Sequence, residues 1–240
     1  MSVMINLIKN IILNFLAKIL PKKVIVKQEI SYLPQWQSRN LMRDFVSGKK
    51  LARKDPKWKD SGARTALEYE FWTHHVCGTV CLQMLLESYG IKKKLFDLIK
   101  DLKKVAAYKA KKVKLDQNYR TNNSHVAGLF YEQFCNYLES NYPFKAKIVS
   151  PMTLDRIFWE LSKGNHVIAS VHPSIRDYQS ASTNQKGGHL VLVVGYDQVK
   201  KVVIIHNPSG FILKTQENHE IPYQEFLRFF AGRGIVVEKV

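Results

Sequence analysis

Apolar positions recur with two different rhythms along the chain. In "INLIKNIILNFLAKIL" (5–20), Asn6, Asn10, Asn14 and Lys18 return every four residues amid Ile, Leu and Phe, which predicts an amphipathic helix with a wide apolar face, ended by Pro21. "KVIVKQEI" alternates like a short strand. Residues 79–89 read as an apolar helix stopped by Gly90. In 92–114, Leu95, Leu98, Ile99 and Leu102 form a helical stripe. "HVAGLFYEQFCNYLES" reads as an amphipathic helix with Phe130, Phe134 and Leu138 on one face, and "TLDRIFWELSKG" as another, with Thr153 as N-cap and Gly164 as stop. From His166 the rhythm changes. "HVIASVHP", "GGHLVLVVGYD", "KVVIIHNPSG" and "GIVVEKV" are strand-like runs. Helices first and strands later predict an α+β domain.

Residues 38–65 are polar, basic and aperiodic, and read as a long insertion with short helical turns. The organisation expected is an amphipathic N-terminal helix over 1–24 followed by one domain over 25–240. The chain has 240 residues, 45% of them hydrophobic, enough for one sizeable core. The net charge of +17 favours acidic partners. An anionic membrane surface, met through residues 5–20, suits the amphipathic helix, as does docking of that helix on the protein's own core. Nucleic acid is the weaker reading of the charge: the ten lysines of 92–114 are interleaved only by Phe96 and Tyr108 as stacking aromatics. No stretch has the length of a membrane span, and the N-terminus lacks the leading charge and cleavage site of a signal peptide. With three cysteines there is no disulfide framework. The compartment expected is therefore reducing and cytoplasmic, with membrane association through the first helix.

The chemistry concentrates in "HHVCGTVC" (74–81). A zinc site would need a second ligand pair elsewhere, and the chain has none; no metal and no cofactor are expected. A Cys77–Cys81 disulfide is disfavoured by diverging Cβ directions at helical spacing. Cys81 lies among Val80, Leu82, Met84 and Leu85 and reads as core, as does Cys135. Cys77 stands at the helix start before Gly78. There the N-terminal partial charge and free N–H groups favour thiolate, and the glycine admits a substrate. A nucleophile needs a base, and the base an orienting partner. A hairpin centred on Gln198 sets His189 directly opposite Asn207, with His206 on the other face. Simple packing for Cys77, and local turn chemistry for His189 and Asn207, remain the alternative.

"CGTVCLQMLLESYG", "GGHLVLVVGYD" and "HNPSG" resemble the double-glycine-leader, bacteriocin-processing cysteine peptidases of the papain superfamily, in their stand-alone bacterial form. There a Cys-Gly opens a helix, a Gly-His opens a later strand, and an Asp-Pro or Asn-Pro follows on the next. "EYEFW" (68–72) and "GRGIVV" (232–237) fit the same group, and the resemblance spans about 28–240. It implies a papain-like fold, with Cys77 as nucleophile, His189 as base, Asn207 as orienting residue, and a glutamine in the oxyanion hole. The usual glutamine position holds Phe71; "YLPQWQS" offers Gln35, with Gln37 as fallback. Thr79 stands where a proline or small residue is usual. These residues contain no phosphate-binding glycine loop, so no ATP-driven exporter is expected within them.

The reading that follows is a cysteine peptidase cutting a peptide or protein substrate after a small pair such as Gly-Gly, with Gly78, Gly188 and the loop 172–188 bordering the cleft. The competing reading keeps the fold for acyl transfer or peptide binding, at a membrane surface or away from one.

Overall fold

The computed structural model describes residues 20–25, 30–110 and 126–240. The predicted helix over 5–20 therefore lies, but for Leu20, outside the described residues, as does most of the second half of "KVIVKQEI". What is described there joins the main body: Leu20 is buried, and β1 (Lys23–Ile25) pairs antiparallel with a later strand.

The insertion over 38–65 consists of short turns around α1 (Met42–Val46). Then come α2 (Ala66–Thr73), α3 (Cys77–Ser88) and α4 (Leu95–Lys104). β2 (Lys109–Ala110) and β3 (Val126–Ala127) form a small ribbon, followed by α5 (Tyr131–Asn141) and β4 (Phe144–Val149). α6 (Leu154–Ser162), β5 (His166–Val171), β6 (His189–Asp197) and β7 (Val202–His206) continue the chain. α7 (Leu213–Gln216), β8 (His219–Pro222), α8 (Tyr223–Phe229) and β9 (Phe230–Lys239) complete it. The main sheet is antiparallel in the order β4-β9-β5-β6-β7-β8, with β1 on β6. This is the α+β architecture expected, helices packed on a C-terminal antiparallel sheet.

Local signals act where the sequence puts them. Thr153 accepts from the Arg156 N–H at 3.2 Å and starts α6, while Gly164 and Gly90 take the left-handed conformation that stops α6 and α3. Leu95, Leu98, Ile99 and Leu102 are all buried, so the lysines of α4 occupy its outer face. Two expectations shift. The helix expected from His125 begins only at Tyr131, because 126–127 pair as a strand and 128–130 run extended. The last strand begins at Phe230 rather than Gly234.

α3 carries the core. Val80, Cys81, Leu82, Met84, Leu85 and Leu86 are fully buried, so this helix is apolar on nearly every side and packs within the molecule. It lies against β6, where the Cys81 thiol donates to the Leu190 carbonyl at 3.7 Å. A Cβ on Gly78 would come 2.6 Å from Leu129 Cδ2 and 2.7 Å from Leu190 Cδ1. Gly78 is thus buried where α3 meets these two leucines. The expectation that it admits substrate is corrected: the space beside it is filled by the protein's own side chains.

Candidate active site

Cys77 is the first residue of α3, and His189 the first of β6. Because α3 packs on the start of β6, both line one cleft of ≈ 700 Å³ together with Gln35, Arg176, Gly188 and Arg233. The Leu190 backbone, next to His189, hydrogen-bonds the Cys77 sulfur. Pro173, Arg176 and Gly188 of the cleft all belong to the 172–188 loop.

His189 Nε2 lies 2.9 Å from Asn207 Oδ1. The contact exists although the predicted hairpin register does not. A turn centred on Gln198 would put His206 opposite Leu190; it stands opposite Leu192, two residues further along β6. The turn occupies 198–201, with Lys201 at φ 55°. Next to the turn, Gly195 pairs with Ile204; after it Val194 is unpaired and Val193 pairs with Ile205. Without that bulge the same register would bring Asn207 opposite Leu192, on the face away from His189. The extra residue restores parity and returns Asn207 to His189's face, since a one-residue slip reverses a strand's sides. His206 does face the other way, with Nε2 donating to the Ile30 carbonyl at 2.7 Å and Nδ1 accepting the Asn218 N–H at 3.1 Å.

Gln35, and not Gln37, lines the cleft. Its N–H donates to the Pro208 carbonyl at 2.8 Å, and its Nε2 to the Thr73 carbonyl at 2.5 Å. The bend at 35–37 is held on its other side by the Gln37 N–H donating to the Tyr69 hydroxyl at 2.8 Å. Phe71, at the usual glutamine position, is buried in the core. Thr79 is buried too, and its hydroxyl is satisfied by Tyr108 at 2.8 Å.

The electrostatics correct one expectation. Burial pushes the Cys77 thiol up, and the hydrogen bonding of the Leu190 and Gly78 backbones and the charge of Arg176 offset this only in part. Helix-terminus effects alone predicted the reverse. Burial also drives His189 down to about 3, with Arg176 acting in the same sense and Asn207 against it. Both shifts favour the neutral forms, thiol and imidazole.

Sequence reasoning missed Arg176 and Ser209. Arg176 Nε donates to Ser209 Oγ at 2.8 Å, and Ser209 Oγ is 3.3 Å from His189 Nε2. Ser209 sits in the quoted "HNPSG", two residues after Asn207, where it reads as turn chemistry. Arg176 has no pattern that separates it from other loop arginines.

A profile described as "Peptidase_C39 like family" matches residues 65–234. Among solved structures, a C39-like peptidase from Bacillus anthracis superposes with a TM-score of 0.50 at 15% identity, covering 91% of this chain and 98% of its own. A double glycine motif protease from an AMS/PCAT transporter, in complex with the leader peptide, gives 0.39 at 17%, covering 68% and 84%. Xylellain, a cysteine protease from Xylella fastidiosa, gives 0.38 at 16%, covering 92% and 87%. No curated protein matches the sequence.

Proposed function

Since the chain belongs to the Peptidase C39-like family, we propose that it is a cysteine peptidase with Cys77 as nucleophile, His189 as general base and Asn207 as the residue that orients His189. The observation that carries this reading is the 2.9 Å contact of His189 Nε2 with Asn207 Oδ1 in the cleft that Cys77 also lines. Nε2 donates to the amide oxygen, so Nδ1 holds the lone pair and acts as base.

The reaction proceeds from the neutral pair. As Cys77 Sγ attacks the scissile carbonyl carbon, its proton passes to His189 Nδ1. The tetrahedral oxyanion is met by the Cys77 backbone N–H, free at the first position of α3, and by the second hydrogen of Gln35 Nε2. The first Nε2 hydrogen holds Thr73, which fixes the amide's direction. Collapse of the intermediate breaks the C–N bond, and the His189 proton leaves with the amine. Water then attacks the thioester with His189 again as base, releasing the acid and restoring the thiol.

A scissile bond after a small pair such as Gly-Gly follows from the likeness to double-glycine peptidases. The test is hydrolysis of Gly-Gly peptides and of matched peptides with bulky residues at that pair. Cys77→Ala abolishes turnover and Cys81→Ala or Cys135→Ala retains it. Turnover that survives Cys77→Ala sinks the assignment; cleavage indifferent to the small pair sinks only the site preference. An amine acceptor added to the same assay reports acyl transfer.

A further inference from the structure

The cleft holds more positive charge than this reaction uses. Eight arginines fall among the described residues. Six have a carboxylate oxygen within 4 Å: Arg39 with Glu217, Arg43 with Asp177, Arg53 with Glu70, Arg64 with Glu68, Arg156 with Glu160 and Arg228 with Glu225. The two without one among the described residues are Arg176 and Arg233, and both line the Cys77 cleft. No Asp or Glu among the described residues lines it. Arg176 is anchored through Nε on Ser209, and its other N–H groups have no hydrogen-bond partner among the described residues. Arg176 is half-buried, and burial presses its guanidinium down to about 10 with no described carboxylate to offset it. Its neighbour Asp177 faces Arg43 at 3.8 Å instead. Arg233 reaches the same cleft from β9, with Nη2 3.5 Å from where a Gly187 Cβ would lie.

A guanidinium partly withdrawn from water gains from an anionic partner. Arg176 is half-buried and Arg233 exposed; six arginines have their carboxylates elsewhere, and these two line the cleft of the nucleophile. We infer that Arg176 and Arg233 form an anion subsite beside Cys77, selecting peptides that carry a carboxylate close to the scissile bond. This rests on Cys77 being the nucleophile. Two planar guanidinium forks suit a carboxylate in particular. The carboxylate comes from an acidic side chain or from a chain terminus.

The test is the rate at which Cys77 of the full chain is alkylated by iodoacetate and by iodoacetamide, followed by peptide mass spectrometry, with glutathione as reference. The ratio of the two rates cancels the thiolate fraction, so a cation that merely promotes ionisation leaves it unmoved. The ratio at Cys77 is expected to exceed that of glutathione about tenfold, the scale of one charge pair in a partly desolvated site. It falls toward the glutathione value in Arg176→Gln and in Arg233→Gln, and Arg233→Lys retains part of it. A ratio equal to that of glutathione, or one unchanged in both Gln variants, overturns the subsite while leaving the nucleophile intact. A Cys77 inert to both reagents overturns the nucleophile and the subsite with it. Hydrolysis of Gly-Gly peptides with Glu against Gln beside the cut, and with free against amidated C-termini, separates the two sources. Equal kcat/KM across all four overturns the selectivity.

Discussion

The Ser209 N–H donates to Asn207 Oδ1 at 3.2 Å. That bond determines which nitrogen of His189 is basic. An amide turned the other way would face the Ser209 N–H with its own NH2, donor against donor, so the oxygen must point toward Ser209 and His189. His189 Nε2 is then the protonated nitrogen and Nδ1 the free one. The arrangement leaves Asn207 Nδ2 buried with no partner among the described residues, an unfavourable term that the two bonds to the oxygen offset.

Asn207→Asp therefore changes the chemistry rather than the shape. A carboxylate beside the ring favours the imidazolium and raises His189 from its depressed value. The acidic limb of the kcat/KM profile moves up by at least about one pH unit. Asn207→Ala leaves the ring unoriented and costs on the order of 10²-fold in kcat/KM without that displacement. Identical pH profiles for wild type and Asn207→Asp would rule out the orienting role.

Acid destabilises this fold through its histidines. Burial lowers His74, His166 and His219 to about 4, and His189 to about 3. Above pH 6.5 these groups are neutral in both folded and unfolded chains and contribute no slope. Below it the unfolded chain takes up protons first, so stability falls as pH drops from about 6.5 toward 4, by up to about 1.4 kcal/mol per pH unit for each such histidine. Chemical denaturation at pH 7.5, 6 and 4.5 checks this; a midpoint constant from 6.5 to 4.5 contradicts it.

Two glycines separate movable from immovable obstacles. In Gly78→Ala the new methyl meets the tips of Leu129 and Leu190, which can shift, and the cost is about 1–3 kcal/mol. In Gly210→Ala it meets the Thr215 carbonyl oxygen at 2.1 Å and the Gln216 nitrogen at 2.7 Å, which are backbone. Gly210→Ala is expected to lower Tm more than Gly78→Ala, as measured by calorimetry, and Leu129→Ala is expected to restore part of the Gly78→Ala loss only.

Asp55 links the insertion to the Gln35 side of the cleft. Its carboxylate accepts from the Ser38 N–H at 3.1 Å, the Ser38 hydroxyl at 2.5 Å, the Lys57 N–H at 2.9 Å and the Tyr69 hydroxyl at 2.6 Å. Tyr69 in turn holds the Gln37 N–H, two residues from Gln35. Asp55→Ala orphans several buried donors, at about 1–3 kcal/mol each. The expected result is a loss of Tm, together with a fall in kcat at temperatures where the chain is still folded. An unchanged kcat there would show that Gln35 does not depend on this network.

α4 and α6 were legible as amphipathic stripes, and α3 and the strands β5, β6 and β7 as runs of buried apolar residues. β4 and β8 were not. "FKAKIV" at a sheet edge carries lysines on its open face, and "HEIP" is four residues long. Neither offers enough repeats to read. Among the cleft residues, Cys77 and His189 stood out by residue type and position and Gln35 through the family resemblance, whereas Arg176 became visible only when the fold brought the 172–188 loop to the cleft.

By itself the sequence determined on which elements the candidate side chains ride: a thiol opening an apolar helix, an imidazole opening a strand, an amide after the next strand. These follow from local rules of capping and side-chain period. What only the tertiary structure decided was their juxtaposition and their charge state. The Val194 bulge returns Asn207 to the face of His189, and burial opposes the thiolate that a helix terminus favours. Both depend on how much chain packs around a point in space, which no local window of residues contains.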